Sequence, residues 1–130
     1  MIRSYKRLAL AVGLGLVVGL MLILLGKCYY ENFLLSLRVA FAEDQIEIFD
    51  EMRTRALQSP PAEAVEFLEY VVEYYPSGTK QVPGSPLDRI VERARQNAIK
   101  EIIASLRDKT GRDYGDDPKR WIAELSRRQE

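Results

Sequence analysis

The sequence predicts an all-α protein, a single N-terminal transmembrane helix followed by a small helical bundle. Three observations carry that reading. Residues 8–26, LALAVGLGLVVGLMLILLG, run for 19 positions without a charge. Beyond them apolar residues recur every three or four positions, the period of a helix with one buried face. Proline, serine, aspartate and glycine then fall where such helices should start and stop.

Residues 1–7 form a basic flank containing Arg3, Lys6 and Arg7. At ~1.5 Å per residue the 8–26 stretch is about 28 Å long, close to the ~30 Å hydrocarbon thickness of a bilayer. A chain in lipid must satisfy its own backbone hydrogen bonds, so an inserted stretch is a helix. A cleaved signal peptide is the rival reading. Its apolar core should be about 7–15 residues long and end on small residues. Here the core is longer and runs into Lys27, Cys28, Tyr29 and Tyr30, while Ala40-Phe41-Ala42 lies far beyond it. Lys27 also occupies the position where a lipoprotein signal needs a small residue before Cys28. The expectation is an uncleaved, single-pass anchor in the cell membrane. Lys and Arg cluster before the span and thin out after it, at Lys27 and Arg38. That bias predicts a cytoplasmic N-terminus and a 27–130 domain outside the cytoplasm. Tyr29 and Tyr30 suit the interfacial belt, where the Lys27 ammonium can reach the headgroups.

Within the span, Ala11, Gly15 and Gly19 fall four residues apart. Such a run lets two helix backbones approach closely in lipid, so a homodimer through this face is one expected partner arrangement. An intermolecular disulfide at Cys28 is the competing route. At ~100° per residue Cys28 points about 180° away from Gly19, so one two-fold seam cannot hold both.

Helices follow at about 31–57, 60–75, 86–109 and 118–126. In the first, Leu35, Val39, Ala42, Ile46, Phe49 and Met52 form the apolar stripe, with Glu43, Asp44, Glu47, Asp50 and Glu51 on the wet side. Nothing between Gly26 and Glu31 stops a helix, so it can continue the anchor. Ser59 is the expected N-cap of the second helix, with Pro60 at its first position. That helix carries Glu63, Glu66, Glu69 and Glu73 on one narrow face and apolar residues elsewhere, so it belongs in the middle of the bundle. Its Phe67, Tyr70 and Tyr74 are the candidate surface for a protein partner.

Residues 76–86, PSGTKQVPGSP, make a long connector of the kind that carries function. Ser85-Pro86-Leu87-Asp88 reads as a capping box, with Asp88 reaching back to the Ser85 N–H. Leu87, Ile90, Val91, Ala94, Ala98, Ile99, Ile102, Ile103 and Leu106 form the third helix's stripe. Gly111 stops that helix, and Arg107 and Lys109 suit its negative end. Arg89, Arg93, Lys100 and Arg107 form a second row opposite the stripe. Asp117 and Pro118 open the last helix, which should bury Trp121 and Leu125 beside Tyr114, and the tail from Ser126 should fray.

Several chemistries are excluded. The chain has no histidine and one cysteine, which removes His-based acid–base catalysis, Ser-His-Asp sites, His-ligated metals and Cys-rich zinc or iron–sulfur sites. Ser77-Gly78-Thr79-Lys80 lacks the P-loop spacing. Residues 31–75 carry ten acids and three bases, and residues 76–130 twelve bases and nine acids. Neither half has the basic patch of a nucleic-acid binder, so no nucleic acid is expected. No cofactor is expected. Carboxylate chemistry stays open in principle, with Asp113 and Asp116 as loop acids, but most of the nineteen acids read as solvated helix faces and no enzymatic activity is expected.

Leu106, Arg107, Thr110, Gly111, Gly115, Asp117, Pro118 and Trp121 fit L-R-x-x-T-G followed by G-x-D-P-x-x-W. This segment resembles the ends of bacterial HEAT-repeat-type helical proteins. The resemblance implies helix-pair packing and partner binding, with no activity to carry over. A second repeat is missing, and solenoids need about three, so a repeat array is not expected. The expected function is a membrane-anchored helical interaction or scaffolding module, an accessory subunit of a cell-envelope complex. A module contacting cell-wall polymer or lipid headgroups is the alternative, and a carboxylate enzyme the third.

Overall fold

A computed structural model describes residues 2–127. It is all-α, with α1 over Ile2–Gln58, α2 over Pro61–Glu73, α3 over Pro86–Thr110 and α4 over Pro118–Ser126. The chain divides into two compact units, one ending at Leu37 and the other beginning at Arg38.

The first unit is helical and holds the apolar stretch. That stretch is long and apolar enough to cross a membrane, and none of it is buried inside the protein. The helix expected at 31–57 is not separate. It is the C-terminal part of one 57-residue helix. The reason is local, since residues 27–31 hold neither a proline nor a glycine, and Gly26 itself stays in the helix.

The second unit is a four-helix arrangement around one core. α2 packs on both α3 and α4. Ala42, Phe49 and Ala56 of α1 join Ala64, Val65, Leu68 and Val71 of α2 in that core. α3 contributes Val91, Ala98, Ile99, Ile102, Ile103 and Leu106, and α4 contributes Trp121 and Leu125. The α1 stripe is corrected at its start. Leu35 and Val39 are exposed, and burial begins at Ala42, with Gln45 among the buried positions. Ile90 likewise stands in solvent at 54% exposure, although its neighbour Val91 is buried.

The cap of α2 also differs from expectation. Pro60 lies outside the helix at φ −63°, ψ 161°, and Pro61 takes the first helical position. The physical reason is that a residue before proline is pushed out of the helical region. Pro60 precedes Pro61, so the helix can only begin after it. Glu73 ends α2, and Tyr74 and Tyr75 turn out of it, Tyr75 at φ 38°. At α3, Ser85 Oγ accepts the Asp88 N–H as expected. Gly111 closes the helix in the left-handed region at φ 65°, where glycine costs least. Asp117 caps α4 by accepting the Lys119 N–H at 3.0 Å. The tail beyond residue 127 lies outside the described residues.

Candidate interaction surface

The surface is built on a strap, residues 74–85, whose stretch from Ser77 to Gly84 is gathered on the Asp88 carboxylate. The other half of the expected capping box does not form. Asp88 leaves the Ser85 N–H, which donates instead to the Val82 carbonyl. The Asp88 carboxylate accepts from Ser77 Oγ at 2.7 Å, and from the Gly78 and Gly84 N–H groups at 2.9 Å each. Asp88 is buried, so these donors replace water for a charge that needs it. The Ser77 hydroxyl and the Gly84 amide hold its carboxyl below the usual range, against the opposing effect of burial. Gly78 has φ 80°, and a Cβ there would stand 2.7 Å from Pro83 Cγ. Only glycine allows this turn to lie so close to Pro83. Gln81, also buried, ties the strap to α1 by donating Nε2 to the Arg38 carbonyl at 2.9 Å.

A buried arginine fixes the other end of the strap. Arg95 donates Nη1 to the Val71 carbonyl and Nη2 to the Tyr75 carbonyl, each at 2.6 Å, and Nε to Glu92 at 3.0 Å. Its guanidinium lies 4.7 Å from the Phe49 ring centroid. It therefore supplies the donors that the last carbonyls of α2 lack.

These anchors bring aromatic rings together around one lysine. Tyr70 stacks on Tyr74 at 5.2 Å, and Tyr74 meets Tyr75 and Phe49 edge-on at 4.7 and 6.1 Å. The Lys80 ammonium sits 3.9 Å from the Tyr75 centroid and 5.3 Å from that of Phe41. Burial pushes the Tyr74 phenol up, and the Asp44 charge adds to this. Of the three expected partner-surface residues, Tyr70 is exposed and stacks on Tyr74, while Tyr74 and Phe67 are both partly buried and packed against the core. Tyr70, Tyr75, Phe41 and Val82 are exposed at 45%, 41%, 44% and 47%. Sequence reading missed Phe41, Tyr75, Lys80 and Val82 as part of this surface. The composition of the 76–86 connector was the one available signal.

The loop acids occupy a different corner. Asp113 and Asp116 pair with Arg107 at 3.0 and 3.3 Å. The Gly115 amide first, and then Arg107, hold the Asp113 carboxyl below its usual range. Gly115 in turn accepts Trp121 Nε1–H at 2.7 Å, and Tyr114 meets the indole edge-on at 4.9 Å. The acids thus order the turn that seats Trp121. Among the described residues no group of three or more His, Cys, Asp or Glu could hold a metal ion.

Ala11, Gly15 and Gly19 lie on the exposed helix of the first unit, and a Cβ at either glycine would meet no atom within 4 Å. The glutamate row of α2 and the residues Arg93 and Lys100 of α3 face solvent, as expected. Arg53 reaches from α1 to Glu101 of α3 at 2.7 Å instead. The fold and this surface define a helical module with an N-terminal stretch of membrane-spanning length. No protein-family model, curated protein or solved structure matches the chain.

Proposed function

We propose that this protein is a membrane-anchored interaction module whose 27–130 domain stands outside the cytoplasm and docks a protein partner of an envelope complex. The observation that carries the reading is the aromatic surface of Phe41, Tyr74 and Tyr75 gathered around Lys80, with Tyr70 stacked on Tyr74. Exposed tyrosines and phenylalanines are among the residues that interface cores favour, and the Lys80 side chain helps hold these rings in place. The strap beneath them is pinned by Asp88 and Arg95, so little ordering cost remains to be met on binding. The helix-pair character implied by the HEAT-like C-terminal segment agrees with a docking role.

The test is crosslinking and affinity purification of the intact protein from its native membrane, wild type against Tyr70→Ala and Phe41→Ala. A protein partner recovered with wild type and lost with both variants is expected. Retention of the partner by both variants would remove this surface from the account. Binding of purified protein to cell-wall polymer or liposomes, with no protein partner captured, would favour the alternative module.

A further inference from the structure

A second feature of the first unit points to what covers it. On α1, Gly15, Gly19, Gly26, Tyr30, Phe33 and Leu37 fall on one side of the helix. At ~100° per residue they occupy an arc of about 60°. The first three present open backbone, with no atom within 4 Å of a Cβ built on any of them. The last three lie past the apolar stretch, Tyr30 at the interfacial belt and Phe33 and Leu37 beyond it, where water rather than lipid would meet them. They are nonetheless exposed at 61%, 52% and 40%. With Leu8, Val12 and Leu22 the same side repeats apolar or small residues every three or four positions over about four heptads, the length at which such a pattern reads as a helix-pairing seam.

The charges sit where such a seam needs them. Between Gly26 and Leu37 the charged residues are Lys27 and Glu31. They lie about 90–130° from the seam centre and pair with each other at 3.8 Å. Two copies inserted with the same orientation would meet residue against identical residue. No like charges are brought together, and apolar rings cover one another.

We infer that a second copy of this chain covers this side, as a parallel two-helix seam that runs from the glycines of the anchor to Leu37. The inference rests on the anchored reading, which makes the two helices parallel and holds them at high effective concentration. Glycines allow close backbone approach in lipid, and Tyr30, Phe33 and Leu37 continue the contact into water. Cys28 lies on the far side of the helix, about 180° from the seam centre.

The test uses the full chain in membranes with Cys28→Ser as background. Single cysteines are placed at Phe33 and Leu37 on the seam and at Leu35 opposite it, and the membranes are oxidised. Phe33→Cys and Leu37→Cys should give a dimer band, and Leu35→Cys and wild-type Cys28 should not. Gly15→Ile added to Phe33→Cys should abolish the band. Crosslinks of equal strength at all positions, none at Phe33 or Leu37, or products only with a different protein or lipid would overturn the seam. Alkaline extraction of the same membranes separates the two claims. Retained protein without seam crosslinks leaves the anchor standing and sinks the dimer. Released protein with seam crosslinks does the reverse.

Discussion

The Arg95 guanidinium donates to the Tyr75 carbonyl across 2.6 Å, joining the middle of α3 to the residue where the chain turns out of α2. A buried cation is costly unless it is fully hydrogen-bonded, and Arg95 meets that condition with backbone oxygens and Glu92. It also fixes the direction in which the strap leaves α2.

Arg95→Ala should therefore destabilise the domain strongly, by roughly 2–4 kcal/mol, since α2 carbonyls lose their donors and Phe49 loses a covering group. Arg95→Lys should recover little, because one ammonium cannot replace a planar fork that reaches two carbonyls. Thermal or denaturant unfolding of residues 31–130 checks both. A Lys variant as stable as wild type would show that charge alone is what matters.

The strap should be sensitive to acid. Asp88 has a folded pKa below its unfolded value, so its contribution is fully present above the ordinary carboxylate value of about 3.9 and is lost as pH falls through the lower folded value. Asp88→Asn should remove that acid dependence and cost about 1.5–3 kcal/mol at neutral pH, the range of a hydrogen bond to a charged group. Amide exchange at Gly78 and Gly84 is the direct readout. Protection at these two amides that is unchanged in Asp88→Asn would show that the carboxylate does not hold the strap.

The local features of this fold were legible because each is written within a few residues. Ser85 with Pro86, Gly111, and Asp117 with Pro118 fix the ends of α3 and α4 by neighbour chemistry alone. The Ser59-Pro60-Pro61 cap was misplaced although the information is equally local, since a proline before a proline cannot be helical. What stayed hidden is non-local. Lys109 reads as a charge suited to its own helix end, yet its ammonium donates to the Ala56, Leu57 and Ser59 carbonyls at the end of α1. Arg95 does the same for α2, and no spacing rule links it to Tyr75 twenty residues earlier. The candidate surface was half legible for the same reason. Tyr70 and Tyr74 share a helix face, whereas Lys80 and Phe41 reach them only through the folded strap.

The core should dominate stability over the surface charges. Ile102 is fully buried, and Ile102→Ala should cost roughly 2–5 kcal/mol. Lys100→Ala, two residues away and exposed, should change stability by less than about 0.5 kcal/mol. Equilibrium unfolding of the two variants measures the contrast. A domain that tolerates Ile102→Asp without loss of helical signal would contradict the bundle.

Orientation has its own check. A reporter that is active only outside the cytoplasm, fused after Glu130, should be active because Arg3, Lys6 and Arg7 cluster ahead of the apolar stretch. Replacing these three with neutral residues should weaken or invert the result. Activity only from a cytoplasmic reporter would reverse the topology.

The central claim, that the 8–26 stretch anchors the module in a bilayer, is tested most directly by extracting membranes that contain the full-length protein with alkaline carbonate. The intact chain, still carrying its N-terminus, should remain in the membrane pellet and be released only by detergent, while the same chain lacking residues 8–26 should be soluble. Full-length protein released by carbonate alone, or recovered cleaved after the apolar stretch, would contradict the account.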